Sequence, residues 1–283
     1  MNFEAYVQLL RLHRPIPILL LLWPTYWALL MASHGLPEPR IFWIFTFGVL
    51  LMRAAGCVLN DIADRDFDRH VARTANRPIT AGKISVTQAL TLAIGLCLIA
   101  FILVLQLNHL TISLAFIALG LAAIYPLMKR FTYFPQAVLG AAFNFGIIMA
   151  FAAIQNRIPP VAWLLYIATL FWTVAYDTWY AMADREDDIT LGIKSTARLF
   201  ADAAPIWIGL CSALFLLLLG LAGYLSGFSM SYYLILLLAI PLFIYEQCLG
   251  RRHAYIAAFS HNHWVGLVVL IAILLQYTRS LII

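Results

Sequence analysis

The chain has 283 residues, of which 64% are hydrophobic and 11% are charged, and its formal net charge at pH 7 is +5. Because so few polar side chains cannot cover the surface of a water-soluble protein of this length, the composition excludes a soluble enzyme. The basic excess follows from the placement of Lys and Arg around membrane helices, so we expect no nucleic-acid partner.

Apolar runs recur along the whole chain, and runs of about 18 residues or more are long enough to cross a hydrocarbon core of roughly 30 Å. Backbone groups in lipid must be bonded within the segment, so runs of this length predict helices and not strands. The sequence predicts nine spans, at 16–33, 41–59, 86–107, 110–128, 135–154, 161–183, 205–226, 231–249 and 263–281. We therefore expect an all-α membrane protein with one domain over residues 1–283.

The distribution of Lys and Arg predicts how the spans are oriented. With the N-terminus in the cytoplasm, fourteen basic residues fall on the cytoplasmic side, and three, Arg40, Arg157 and Arg279, fall outside. This bias predicts a cytoplasmic N-terminus, an external C-terminus and cytoplasmic positions for both acidic windows described below. No Arg- and Ser-rich amphipathic segment precedes the first span, so we expect the inner (plasma) membrane of a bacterium.

Nine of the thirteen acidic residues lie in two short windows, 61–68 and 177–188, which follow the second and sixth spans. If the second helix continues past residue 60, Asp61, Asp64 and Asp68 share one face, with Asn60 at its edge, while Asp66 points away. Both windows fall on the same predicted side of the membrane. They are therefore expected to face one cavity.

In the second window Asp177, Tyr180, Asp184 and Asp188 are spaced for one helical face. Two facing carboxylate stripes repel each other strongly unless they are neutralised. All-oxygen clusters suit magnesium, which completes its coordination with phosphate oxygens, so the pattern predicts a magnesium–diphosphate site. The alternative is an ordinary solvated loop whose acids pair with the basic residues of 65–83.

The segment "NDIADRDFD" resembles the NDxxDxxxD motif of the intramembrane aromatic prenyltransferases, and "DREDD" resembles their second, DxxxD-type motif. Further stretches, "HRPIPILLLLWPTYWALL", "RTANRP", "YPLMKR" and "GIKSTARLF", are similar to the 4-hydroxybenzoate polyprenyltransferases of ubiquinone synthesis within that family. The resemblance runs from about residue 11 to the final span. It implies nine transmembrane helices around a central cavity, arranged as two four-helix halves plus one helix.

The resemblance also implies an enzyme that transfers a polyprenyl group from a polyprenyl diphosphate to the ring of 4-hydroxybenzoate, with Mg²⁺ as cofactor and release of diphosphate. The metal ligands predicted in this way carry oxygen on the two stripes: Asn60, Asp61, Asp64, Asp68, Asp184 and Asp188. The four carboxylates Asp64, Asp68, Asp184 and Asp188 are also the predicted catalytic groups, together with Asp177. Asp177, the deepest of its stripe, is predicted to orient the phenol or to take its proton.

Residues predicted to contact diphosphate lie near the cytoplasmic helix ends: Arg65, Arg77, Tyr125, Lys129, Arg130, Tyr180 and Lys194. For a Lys–Arg pair beside the membrane, the alternative is a signal for topology alone. Arg53 lies inside the second span, where a charge costs at least about 2.5–3.5 kcal/mol. We predict that Arg53 binds the carboxylate of the aromatic acid; the alternative is a structural pairing with an acid such as Asp61 or Asp177.

Two other functions are consistent with parts of the pattern. A transporter is one, because carboxylates within membrane helices often mark ion pathways, but these acids lie at helix ends on one side. A related prenyltransferase with a naphthoate, haem or chlorin acceptor is the other. Finally, His261, Asn262 and His263 form no metal spacing with another ligand and are predicted to be a polar loop.

Overall fold

The structure is a computed structural model that describes residues 3–71 and 73–278. These residues form thirteen α-helices, one 3₁₀ turn at Ala201–Ala203 and connecting loops. The helices are α1 (Phe3–Leu9), α2 (Ile16–Ser33), α3 (Pro39–Asp68), α4 (Val86–Val104), α5 (His109–Phe131), α6 (Pro135–Gln155), α7 (Pro160–Met182), α8 (Arg185–Thr190), α9 (Thr196–Phe200), α10 (Ala204–Leu225), α11 (Met230–Leu236), α12 (Ala239–Arg251) and α13 (Tyr255–Thr278).

Nine helical segments in the described part of the chain are long and apolar enough to cross a membrane. Six are single helices from α2 to α7, two combine α9 with α10 and α11 with α12, and the last is α13. The all-α, nine-span prediction is therefore confirmed, and the protein is a multi-pass membrane protein. The second span is longer than predicted, because α3 continues to Asp68.

The prediction of a polar loop at residues 261–263 was wrong, because these residues lie within α13. Asn262 is buried, and its Oδ1 accepts a hydrogen bond of 2.7 Å from Trp172 Nε1 of α7. His261 Nδ1 lies 3.4 Å from Glu246 Oε1 of α12. Polar side chains that find partners on neighbouring helices can stay inside a membrane bundle, which composition alone does not reveal.

Local signals in the sequence explain where several helices begin. Proline occupies the first turn of α2, α3, α6 and α7, where its missing N–H leaves no hydrogen bond unmade. Ser85 and Gln88 form a reciprocal capping box at the start of α4, with bonds of 3.2 and 3.0 Å. Asn108 caps α5 by accepting a hydrogen bond of 2.9 Å from Thr111 N.

The main hydrophobic core lies between α2, α6, α7, α10 and α13. At its centre the Trp172 ring stacks on Phe215, with 5.3 Å between ring centroids, and Trp27 lies 5.4 Å from Trp172. A second, smaller cluster packs Leu9 of α1 against Val58 of α3 and the first turns of α4. The C-terminal ends of α3, α5 and α7 meet at one end of the bundle, together with segments 73–85 and 183–195.

Candidate functional site

A cavity of about 190 Å³ lies where the ends of α3, α5 and α7 meet. Most of the site residues predicted from the sequence line it: Asn60, Asp64, Asp68, Arg77, Tyr125, Lys129, Asp177, Tyr180, Asp184, Asp188 and Lys194. The structure therefore brings the two acidic windows to one cavity, although more than 100 residues separate them in the chain.

The wall formed by α3 carries Asn60, Asp64 and Asp68. Asn60 Nδ2 donates a hydrogen bond of 3.0 Å to Asp64 Oδ2, and the same oxygen forms an ion pair with Lys129 Nζ of α5. The other oxygen, Asp64 Oδ1, is buried and has no hydrogen-bond partner among the described residues. Because a buried, unbonded carboxylate oxygen is costly, Asp64 is suited to a further cationic partner.

The opposite wall comes from the end of α7 and the segment after it. Asp177 and Tyr180 lie in the last turns of α7, but the helix ends at Met182 and Asp184 occupies the N-cap position of α8. The four predicted residues therefore do not lie on one continuous helix. They still share the cavity, because the turn at Asp184 folds α8 and Asp188 back towards it.

Arg73, which sequence reasoning missed, links segment 73–85 to this wall. Its Nε donates a hydrogen bond of 2.8 Å to Asp184 Oδ1, its Nη2 pairs with Asp184 Oδ2, and its Nη1 lies 2.7 Å from the Tyr180 hydroxyl. Burial works to lower the pKa of Arg73, but Tyr180 and Asp184 outweigh it and raise that pKa. The signal available in the sequence was its place in "RTANRP".

Arg77 lies between two carboxylates on α3. Its Nη1 is 2.7 Å from Asp68 Oδ2 and 3.1 Å from Asp61 Oδ1. Asp61 Oδ1 also accepts a hydrogen bond of 2.8 Å from Arg11 Nη2. Burial acts to lower the pKa of Arg77, but Asp61 and Asp68 raise it overall, so the guanidinium stays charged.

Asp188 is a site carboxylate beyond the end of α7. Burial and the nearby charge of Asp184 together raise the pKa of Asp188 to about 6, while a hydrogen bond with Ser195 acts in the opposite direction. Ser195 also lines the cavity and was missed in the sequence, where it lies in "GIKSTARLF". Keeping the site carboxylates charged therefore costs free energy, and nearby cations offset that cost.

Four predicted site residues do not line the cavity among the described residues: Arg53, Asp61, Arg65 and Arg130. Arg53 Nη1 donates to Leu10 O at 3.3 Å and to Cys57 Sγ at 3.1 Å, so its described partners are neither Asp61 nor Asp177. Arg65 lies 3.7 Å from Asp66; the Arg65 side chain is partly exposed and that of Asp66 is largely exposed.

Arg130 turns away from the cavity towards α3. Its Nη2 donates a hydrogen bond of 2.8 Å to Ala63 O, and its guanidinium lies 5.4 Å from the centre of the Phe67 ring. These contacts connect the end of α5 to α3. Arg130 therefore packs against α3, whereas its neighbour Lys129 faces the carboxylates.

The donor set fits a divalent cation. In the described part of the chain, no three His, Cys, Asp or Glu side chains already lie at metal-binding spacing. The site carboxylates are paired with basic side chains instead: Lys129, Arg73 and Arg77 each form an ion pair with one of them. Carboxylate and amide oxygens around one cavity, one of them buried and unbonded, are the groups that magnesium takes. The residues that could hold it are Asn60, Asp64, Asp68, Asp184 and Asp188.

The chain is similar in sequence to known proteins. Residues 21–264 match the sequence model of the UbiA prenyltransferase family. A 4-hydroxybenzoate octaprenyltransferase from Francisella tularensis subsp. mediasiatica (strain FSC147) is 53% identical over 279 residues, covering 98% of each chain. One of the same name from Ectopseudomonas mendocina (strain ymp) is 53% identical over 275 residues, covering 96% of this chain and 93% of its own.

Two solved structures have the same fold. The apo structure of a UbiA homolog from Aeropyrum pernix K1 gives a TM-score of 0.80 at 24% identity, covering 92% of this chain and 98% of that one. A UbiA homolog from Archaeoglobus fulgidus, bound to GPP and Mg²⁺, gives a TM-score of 0.67 at 18% identity, covering 95% and 99%.

Proposed function

The chain belongs to the UbiA prenyltransferase family, and from this premise we propose that it transfers a polyprenyl group from a polyprenyl diphosphate to the ring of 4-hydroxybenzoate. The product would serve ubiquinone synthesis. Support for this acceptor comes from relatives named 4-hydroxybenzoate octaprenyltransferase that share 53% of their residues over almost the whole chain. Their name also supports a donor of octaprenyl length.

One observation carries the proposal: a single cavity at the end of a membrane bundle is lined by the carboxylates of both acidic windows and by basic side chains. Such a mixture suits a ligand that carries both a divalent cation and a polyanion. A diphosphate headgroup with its metal is that ligand, and its hydrocarbon tail suits an enzyme embedded in lipid.

We assign the metal to Asn60, Asp64, Asp68, Asp184 and Asp188, which line the cavity. A bound magnesium ion supplies positive charge that stabilises the departing diphosphate. Asp61 is left out of this ligand set, because two arginines already occupy it.

The chain's own cations would hold the diphosphate oxygens. Lys129, Arg73, Arg77 and Lys194 line the cavity. When a metal takes the carboxylate partners of Lys129 and Arg73, these two side chains can turn their donors to the substrate. Lys194 Nζ donates to Phe131 O at 3.2 Å, which sets it beside the end of α5.

Two tyrosine hydroxyls, on different helices, complete the polar lining of the cavity. Tyr180 already bonds Arg73, and Tyr125 lies one turn before Lys129 on α5. Both line the cavity and would donate hydrogen bonds to the diphosphate or orient its basic contacts. Arg65 and Arg130, whose described contacts lie elsewhere, take no part in this proposed arrangement.

For the acceptor we assign Arg53 and Asp177. Arg53 lies seven residues before Asn60 on α3, about 10 Å along the helix. Its described bonds use Nη1 alone, which leaves other guanidinium donors for a planar carboxylate. Asp177 lines the cavity and would orient the phenol or accept the ring proton. The surrounding apolar helices would keep water away from the allylic cation that forms when the bond between the prenyl group and diphosphate breaks.

We propose the bacterial inner membrane as the location, with the cavity on the cytoplasmic side. Basic residues concentrate at the end of the bundle that holds both acidic windows. The positive-inside distribution of charge supports the cytoplasmic side for the cavity.

Prenyl transfer by the purified protein in detergent tests the function. With 4-hydroxybenzoate, a polyprenyl diphosphate and Mg²⁺ we expect product from the wild type, and a loss of at least about 100-fold in Asp64→Ala and in Asp184→Ala. Asp66→Ala is the matched control, because its carboxylate is exposed and lies on the same helix. Activity that survives both site substitutions would refute the metal site. No product from folded protein would refute this acceptor and call for naphthoate and other aromatic acceptors.

A further inference from the structure

Arg77 differs from the other cations of the cavity in its partners. Lys129 and Arg73 each form an ion pair with one carboxylate in the described part of the chain. Arg77 Nη1 instead contacts two, Asp68 at 2.7 Å and Asp61 at 3.1 Å. Asp68 lines the cavity, whereas Asp61 is not among the described residues that line it.

Asp61 is almost completely enclosed, with 1% of its side chain exposed. Arg11, from the segment after α1, donates to both of its oxygens, at 2.8 and 3.0 Å. Arg77 also contacts one of those oxygens, so the carboxylate is paired with two cations. A buried carboxylate already neutralised in this way has little to gain from a metal ion.

The local charge changes when Asp68 takes another partner. Arg11, Arg77, Asp61 and Asp68 together carry two positive and two negative charges. If a divalent cation binds Asp68, Arg77 keeps Asp61, and the group of Asp61 with its two arginines carries a net charge of one positive unit. That charge lies at the cavity wall, where a diphosphate would be attracted to it.

We propose that Asp61 is a positioning residue, which holds Arg77 at the cavity wall when a divalent cation takes Asp68. When the metal also takes Asp64 and Asp184, Lys129 and Arg73 lose their carboxylate partners, whereas Arg77 keeps Asp61. Fixing a guanidinium in advance lowers the entropy that is lost when it binds an anion. The inference rests on the proposed function, because it assumes that Asp68 binds metal and Arg77 binds diphosphate.

Calorimetric titration of the purified full chain with inorganic diphosphate, at several Mg²⁺ concentrations, tests this role. In Asp61→Asn we expect diphosphate to bind about tenfold more weakly at saturating Mg²⁺, since an oriented charged hydrogen bond is lost. The Mg²⁺ concentration that gives half-maximal diphosphate binding should stay the same. In Asp68→Asn that concentration should rise, because a metal ligand is removed.

A double-mutant cycle with Arg77→Gln identifies the route. If Asp61 acts through Arg77, the double variant binds diphosphate no more weakly than Arg77→Gln alone. Asp66→Asn is the matched control, because it removes an exposed, arginine-paired carboxylate from the same helix and should change neither quantity. Asp61→Glu, which keeps the carboxylate, should restore most of the affinity.

Two results would overturn the inference: an additive loss in the cycle, or a Mg²⁺ requirement in Asp61→Asn that rises as it does in Asp68→Asn. Wild-type protein that binds no diphosphate with Mg²⁺ would overturn the proposed function as well. If Asp61→Asn fails to fold because Arg11 loses its carboxylate partner, Arg11→Gln/Asp61→Asn is compared with Arg11→Gln. Equal diphosphate affinity in those two would also refute the role of Asp61.

Discussion

The carboxyl group of Asp188 gives a prediction about pH. The pKa of Asp188 is raised to about 6 by burial and by Asp184, so the folded protein binds this proton more tightly than the unfolded chain does. The stabilisation from Asp188 is therefore complete below about pH 4, the unfolded value, and is lost as pH rises through 6. Above that pH the Asp188 carboxylate of the metal-free protein is charged, partly buried and repelled by Asp184.

We therefore expect Asp188→Asn to stabilise the metal-free protein at pH 7.5 by up to about 3 kcal/mol, and less where water screens the charge. The gain should disappear by pH 4. The measurement is the thermal unfolding midpoint in detergent with a chelator at both pH values, with Asp66→Asn as the exposed control. An equal shift at both pH values would contradict a role for titration.

For single residues, the sequence predicted the features that follow from a residue's position on its own helix. The spacing of Asp64 and Asp68 placed them on one face, and both line the cavity. Arg73 could not be found in this way, because its partner Asp184 lies 111 residues away and the contact exists only in the folded bundle. The roles of these residues in binding and catalysis remain predictions.

Among the helices, the contact of α13 with α2 is close enough to exclude a larger side chain. A Cβ added at Gly266 would lie 2.1 Å from Cδ1 of the Trp23 ring. Trp27 Nε1 also donates a hydrogen bond of 3.2 Å to Gly266 O, which fixes the two helices together. Neither the ring nor the helix can yield without disturbing this contact.

Gly266→Ala should therefore lower the free energy of unfolding by about 1–3 kcal/mol, as overpacking does. Gly95→Ala is the matched control: it lies within α4, where an added Cβ meets nothing within 4 Å, so it should be neutral or stabilising by up to about 1 kcal/mol. Thermal midpoints in the same detergent compare the two. Equal midpoints would show that α2 and α13 have room to separate.

The limits of the helices show what periodicity can and cannot predict. Apolar length predicted all nine spans, because lipid requires long, internally bonded helices. The break of α7 at Met182 was not predicted, since the acidic spacing after it fits a continuous helix equally well. The inclusion of Asn262 in α13 was missed for the opposite reason: its polarity suggested a loop, but Trp172 satisfies it inside the core.

At the scale of the whole molecule, the fold and the family are confirmed. The acidic windows lie at the ends of the second and sixth spans, four apart, and they meet in one cavity, as two related four-helix halves would require. That residues 1–283 form one domain stays a prediction. The orientation in the membrane also stays a prediction, and it determines from which side substrates with charged headgroups enter.

Labelling of single cysteines in intact cells tests the orientation. The four native cysteines are first replaced, and Lys83→Cys or Arg157→Cys is then added at exposed loop positions of opposite ends of the bundle. The positive-inside distribution predicts that a membrane-impermeant maleimide labels Arg157→Cys in intact cells and Lys83→Cys only after lysis. The reverse pattern would place the cavity outside the cytoplasm. A diphosphate donor would then have to be supplied from that outer side, contrary to the location proposed above.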